Sequence, residues 1–382
     1  MRTPHAATIS IALWLTRVAA RPVSAAKRYS SVRALSSSGR DGVDSIKNAN
    51  PDPKSQIYPK RSDSDAPYSL SEQELRSKIY FPETFSESPS KRPVILVPGT
   101  AAMAGSTYRS NLGHLLAASD FADPLWVNIP NASLNDAQEN SEYVAYAMNY
   151  VQTRLGRKPA VVAWGQGNLN VQWALKYWPS TRDAVTDLVA LSPGFHGTTE
   201  AFPGCKQIMP VIGGTPSVYQ QMYNSKFVRT LRADGGDSAY VPTTSIFSAT
   251  DGIVQPQSGS NSSAILNDAH GVEASSIEVQ KACPDTPAGR NVTHEGVLYN
   301  SLAFALLRDA LEKEGPGRLE RIDNKVCGDH AAGQLSAAEV DATDAVLNNA
   351  TMNCLLYSKK VGDEPDIKEY AKRRLARFAA QG

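Results

Sequence analysis

The chain has 382 residues, 41% hydrophobic and 8% aromatic, which is enough to bury a large core within one α/β domain. Lys and Arg number 39 against 38 Asp and Glu, and no basic stripe stands out beyond the N-terminus, so nucleic acid is not an expected partner. The sequence has no Gly-rich phosphate cradle, nucleotide fingerprint or metal-ligand cluster, so no cofactor and no metal are expected.

In chain order, the first 40 residues contain no Asp or Glu, and Ala6 to Leu15 form a short apolar run after Arg2. With the small residues Val23-Ser24-Ala25 behind it, this reads as a secretory signal peptide over residues 1–25, too short to span a membrane. A mitochondrial presequence is the competing reading, because Arg17, Arg21, Arg28, Arg33 and Arg40 stand among serines with no acid. Two later features favour secretion. Asn131-Ala-Ser133, Asn261-Ser-Ser263, Asn291-Val-Thr293 and Asn349-Ala-Thr351 are glycosylation acceptor triplets. Cys205, Cys283, Cys327 and Cys354 form an even set, spaced too widely for a zinc site, that fits two disulfides in an oxidising compartment or four buried thiols.

Residues 26–67 are expected to be a disordered leader, because the stretch from Ser36 to Pro67 is rich in Ser, Asp, Lys and Pro and has almost no apolar periodicity. The folded domain is expected over residues 68–382, opening with a capping box at Ser71-Glu-Gln-Glu74. Pro93 to Val97 reads as a buried strand leading into Pro98-Gly99-Thr100. Leu125 to Ile129 is a second strand, Glu139 to Leu155 a helix, Ala160 to Trp164 a third strand and Asn168 to Tyr177 a helix. Thr186 to Ser192 and Thr244 to Ala249 are further strands. Gly296 to Lys313 is an amphipathic helix, and Ser336-Ala-Ala-Glu339 opens another with a capping box. Apolar runs alternating with helices predict an α/β fold with a mainly parallel sheet covered on both faces.

Ala163-Trp164-Gly165-Gln166-Gly167 lies between a strand and a helix. On its own it also reads as a plain Gly-rich turn. A small-x-nucleophile-x-small pentapeptide at such a junction is the nucleophile elbow of α/β-hydrolases, whose end residues let strand and helix approach closely while the central one projects over the sheet. Here the central residue is Gly165, which has no side chain. The rest of the triad order follows: Asp251 ends a β-rich run, and His294 stands on a later loop, so a carboxylate can back an imidazole. His270 is the rival base.

The chain at this point resembles the Candida antarctica lipase B type of fungal lipase. The resemblance rests on Pro93-Val-Ile-Leu-Val-Pro-Gly-Thr100, Leu134-Asn-Asp-Ala-Gln138 with Glu142-Tyr143, Val162-Ala-Trp-Gly-Gln-Gly167, Thr215-Pro-Ser-Val-Tyr-Gln-Gln221, Val241-Pro-Thr-Thr244 and Ser248-Ala-Thr-Asp-Gly-Ile-Val-Gln-Pro256, with a fainter Glu364-Pro-Asp-Ile-Lys-Glu-Tyr370. It implies an α/β-hydrolase fold with helical lid elements, drawn from Thr198 to Tyr223 and from the helix after Ser336. Asp251 and His294 would be two triad members. The N–H groups of Thr100 and Gln166, with the Thr100 hydroxyl, would form the oxyanion hole, and Trp164 would floor the alcohol-side pocket. It also implies a Cys283–Cys327 disulfide. Cys354 matches another family disulfide whose usual partner is absent, and its expected partner is Cys205.

Two positions depart from that pattern. Gly165 replaces the nucleophilic serine. Gly194 replaces an acidic residue of the acyl pocket near Gln221, which makes the pocket more apolar. Loss of a triad serine typically costs about a million-fold and leaves roughly 10³–10⁴ over water. Three readings follow: a serine-free enzyme using His294 and Asp251 on an ester or carbonyl group of a lipophilic small molecule; a lipid- or ester-binding pseudoenzyme; or an active lipase in which Gly165 is a substitution or sequence error. A monomer in transient contact with a lipid surface is expected.

Overall fold

The computed structural model describes residues 42–200 and 213–372. The expected signal peptide and Cys205 lie outside them. Residues 42–67 do not form the flexible leader that their composition predicts. Ile57 is fully buried, and the ring of Tyr58 stacks on Tyr68, which stacks in turn on Trp178. The carbonyl of Val43 accepts from Trp126 Nε1 at 2.8 Å and Asn128 Nδ2 at 2.9 Å, and Asp65 accepts from Ser180 N at 3.0 Å and Oγ at 2.7 Å. Polar tethers and a few rings hold this irregular segment, so apolar periodicity could not reveal it.

Helix α1 (Glu72–Ser77) starts where Ser71 Oγ accepts from the Glu74 N–H, as a capping residue should. Strands β1 (Ile79–Tyr80), β2 (Arg92–Val97) and β3 (Ala122–Val127) precede helix α2 (Ala137–Leu155), strand β4 (Ala160–Trp164) and helix α3 (Gln166–Tyr177). Then come β5 (Leu188–Leu191), the short α4 (Pro216–Gln220), β6 (Thr243–Phe247), β7 (Ala274–Glu278), α5 (Ser301–Glu312), α6 (Ala337–Asp344) and α7 (Val346–Leu356). The seven strands are ordered β1-β3-β2-β4-β5-β6-β7. All neighbours are parallel except the β1–β3 pair.

Successive strand residues point to opposite faces. Ile95, Val97, Val161, Ala163 and Ala190 therefore pack with α2 and α3, while Val94, Leu96, Val162, Trp164 and Leu191 pack with α5 on the other side. Both faces are covered, which is why these strands read as continuous apolar runs. This is the α/β-hydrolase fold. Val97 pairs with Ala163 and Trp164 with Leu191, so the carboxyl ends of β2, β4 and β5 meet at one edge.

Two elements differ from expectation. The helix predicted over Gly296 to Lys313 is broken: a 3₁₀ turn at Gly296–Leu298 is followed by Asn300, whose side chain accepts from Ala303 N and restarts the helix as α5. Strand β7 was not foreseen, because as an edge strand it buries only Ile277 and Glu278 and so shows no apolar run. The capping box at Ser336 and Glu339 forms as expected. Among the described residues no helix is long and apolar enough to cross a membrane.

Candidate active site

The elbow is built from close contacts. A Cβ on Gly167 would lie 2.6 Å from the Val97 carbonyl oxygen, so only glycine lets α3 start this near β2. Gly165 sits between β4 and α3 at φ 52° and ψ −122°, a backbone conformation that glycine adopts freely and other residues hold only under strain of about 1–3 kcal/mol. Its N–H donates to the Leu191 carbonyl at 3.1 Å, and its carbonyl accepts from Asn168 Nδ2 at 3.1 Å. Gly165 thus holds without strain a turn in which a larger residue would be strained.

The structure brings the expected base and acid together. His294 Nδ1 is 2.7 Å from Asp251 Oδ2, and both residues are buried, at 5% and 2% exposure. The other carboxylate oxygen accepts from the N–H groups of Ile253 at 2.8 Å and Val254 at 2.9 Å. Asp251 therefore cannot swing away, and its contact with Nδ1 fixes the orientation of the imidazole. Nε2 points at the elbow: a Cβ built on Gly165 would stand 3.0 Å from it. His270 is not part of this arrangement. It stacks on Tyr240, exposed, with Nε2 3.1 Å from the Gly235 carbonyl.

Thr100, Trp164, Gly165, Gln166, Gln221 and His294 border one cavity of about 20 Å³. Gln166 opens α3, so its N–H belongs to the first turn, where no intrahelical acceptor exists. The Thr100 hydroxyl donates to Gln221 Oε1 at 2.8 Å, and Gln221 Nε2 donates to Gln166 Oε1 at 3.0 Å. Gln166 Nε2 in turn reaches the Ser133 carbonyl at 3.1 Å. This chain of amides fixes the two expected oxyanion residues relative to each other. Trp164 packs against His294 with ring centroids 4.9 Å apart, and its Nε1 donates to the His294 carbonyl at 3.0 Å.

Gly194 is not among the residues that border the cavity. A Cβ there would come within 3.2 Å of Val254 Cγ1, and it is Val254 that faces the cavity. The apolar wall expected at that point exists, but a valine from the Asp251 loop supplies it.

Several residues of the site were not anticipated from the sequence. Ser192 Oγ donates to the His294 carbonyl at 2.9 Å and so shares with Trp164 the task of anchoring the histidine loop. Val218, Ile253 and Leu347 complete the apolar lining. The signal for Ile253 and Val254 was present in Asp251-Gly-Ile-Val254, since an aspartate two and three residues before free N–H groups commonly accepts from them. Glu295, next to His294, is buried, and burial raises its carboxyl above the ordinary range.

The expected disulfide between Cys283 and Cys327 is present. Cys354 is buried in α7, and its expected partner lies outside the described residues. Asn131, Asn261, Asn291 and Asn349 are all exposed. Among the described residues, no group of three or more His, Cys, Asp or Glu side chains is arranged to hold a metal ion.

No family model matches the chain. It is 31% identical over 290 residues to lipase B of Pseudozyma antarctica, an alignment covering 75% of this chain and 81% of that protein. Among solved structures it is similar to Aspergillus fumigatus lipase B, with a TM-score of 0.82 and 49% identity across 87% of this chain and 79% of the other.

Proposed function

The chain belongs to the lipase B family of α/β-hydrolases, and from that premise we propose that it acts on an ester or carbonyl group of a lipophilic small molecule with a histidine–aspartate base and no serine nucleophile. The observation that carries this reading is the cavity that His294, Gly165, Thr100 and Gln166 border together. It measures about 20 Å³, above the roughly 10–15 Å³ that one water needs, and it has polar partners on its walls.

A water held there lies where the missing hydroxymethyl would be. Nε2 takes its proton, Asp251 stabilises the imidazolium, and the hydroxide adds to a carbonyl carbon. The Thr100 and Gln166 N–H groups face the oxygen on which negative charge develops, and the Thr100 hydroxyl joins them by turning away from Gln221. The same parts suit removal of an acidic C–H next to a carbonyl, with the enolate oxygen in the oxyanion hole. Thr100 cannot take the nucleophile's place, because the elbow sets only residue 165 at the reactive point.

Leu347 of α7 lines the cavity together with Val218 and Ile253, so α7 borders the approach to the site. The outer face of α7 exposes Met352, Leu355 and Leu356, with Lys359 beyond its end. That surface suits transient contact with a lipid aggregate. The disulfide and the four exposed acceptor asparagines support export to an oxidising compartment.

The test is His294→Ala, assayed on p-nitrophenyl butyrate. Turnover should fall toward the level that the oxyanion hole and binding alone sustain, while the fold is kept. Unchanged turnover rejects His294 as the base.

A further inference from the structure

We propose that Asn349 carries an N-linked oligosaccharide that shields the apolar face of α7 and so sets how strongly the mouth of the active site meets a lipid surface. This rests on the reading that the chain is exported and contacts lipid, and it assigns to one residue the control of that contact.

The argument starts from the helix. Val346, Ala350 and Cys354 are buried along one stripe of α7, and Leu347 beside them lines the cavity. On the opposite side Met352, Leu355 and Leu356 are 46%, 41% and 51% exposed. Three large apolar side chains standing together on a helix that covers the site are costly to leave in water. Asn349 stands at i, with Met352 at i+3 and Leu356 at i+7, so all three project from one side of the helix. Asn349 is exposed, as is Thr351, the third member of its acceptor triplet. The Asn349 side chain itself leans toward the helix N-terminus, but an oligosaccharide on its amide is many times larger than one helical turn and so reaches over Met352 and Leu356 on the same side.

The Asn131 acceptor lies by the same helix. Its Nδ2 donates to Asn135 Oδ1, which also accepts from the Tyr357 hydroxyl just past the end of α7. It borders the helix end and not the apolar stripe, so Asn349 is the position from which a glycan covers that stripe.

In the modification the Asn349 amide nitrogen forms a bond to C1 of the sugar of a lipid-linked oligosaccharide diphosphate. The C1–O bond to the diphosphate breaks, the lipid diphosphate leaves, and the amide nitrogen gives up one proton. Transfer occurs on the extended chain before α7 forms, so the helical setting of Asn349 is no obstacle.

The experiment produces the full chain in a eukaryotic secretory host and maps glycopeptides by mass spectrometry. The peptide holding Asn349 should carry one glycan in the wild type and in Thr351→Ser, and none in Asn349→Gln or Thr351→Ala. Partition of the purified proteins into phosphatidylcholine vesicles should then rise about tenfold in the two unglycosylated variants, roughly the equilibrium weight of withdrawing one leucine side chain from water. Enzymatic deglycosylation of a folded chain in which Asn131, Asn261 and Asn291 are each changed to Gln, so that Asn349 alone carries a glycan, should give the same rise, which guards against a variant that folds poorly. Adding Met352→Ser and Leu356→Ser to Asn349→Gln should cancel it. An unmodified Asn349 peptide in the secreted wild type, or equal partition with and without the glycan, overturns the proposal. Neither readout involves turnover, so the outcome is independent of the role of His294.

Discussion

The most searching perturbation of the site is Gly165→Ser. The elbow already holds φ 52° and ψ −122°, so the new side chain would project toward the imidazole without any change in backbone path. Its three nearest neighbours beyond the adjoining residues would be His294 Nε2 at 3.0 Å, His294 Cε1 at 3.5 Å and Gly99 Cα at 3.8 Å. Only the imidazole has to yield, by a few tenths of an ångström, and the hydroxyl then falls within hydrogen-bond reach of Nε2. Removing the serine from an intact triad costs about 10⁶ in kcat. Restoring it beside a base, an acid and both oxyanion N–H groups should therefore regain about 10⁴–10⁶, equivalent to roughly 5–8 kcal/mol of transition-state stabilisation. The lower end allows for a Thr100 hydroxyl that must first leave Gln221. Stability should fall by about 1–3 kcal/mol, because serine is strained where glycine is not. Initial rates on p-nitrophenyl butyrate, together with stoichiometric labelling by an alkyl phosphonate, measure the first effect, and thermal unfolding measures the second. A folded variant with less than a tenfold gain and no phosphonate adduct would refute the view that the remaining site is arranged for acyl chemistry.

Two further predictions concern stability. Asp187 is buried beside Arg92 at 3.3 Å, and burial lifts its carboxyl from near 3.8 to about 6 against the pull of that guanidinium. A raised carboxyl favours the native state below its unfolded value and loses that contribution as pH rises through about 6, a change of about 3 kcal/mol. Asp187→Asn should therefore gain stability relative to the wild type between pH 4 and pH 7, seen as a melting-temperature difference that grows with pH, and a flat or falling difference contradicts it. The Cys283–Cys327 disulfide closes a loop of 44 residues, for which chain entropy gives about 4 kcal/mol. The double alanine variant should lose about 2–4 kcal/mol in denaturant titrations, and an unchanged midpoint would show that the loop is ordered without the bond.

Much of the site was legible before any coordinates. Gly165 is recognisable as an elbow because a buried strand, small flanking residues and a helix occur in succession, and local sequence determines all three. Asp251 and His294 follow in the chain order that the fold demands, as does His270, and only the contacts place His294 rather than His270 beside Asp251. Contacts between distant segments were not legible. Ser192 reaches the His294 carbonyl across 102 residues, and nothing in its neighbourhood announces that bond. The packed segment 42–67 escaped notice for a related reason: polar groups reaching α3 and β3 hold it, and hydrophobic pattern is blind to such tethers.

By itself the sequence determined the fold class and the sheet-covering helices, and it named Asp251 and His294 as a candidate pair, because periodicity, caps and chain order are local properties that survive without tertiary information. Only the tertiary structure decided that a small cavity lies beside Gly165 and His294, that Val254 takes the space beside Gly194, and that Leu347 lines the cavity from α7. Those outcomes depend on which side chains fill a shared volume, and that volume exists only once strands β2, β4 and β5 and helix α7 have been brought to the same edge.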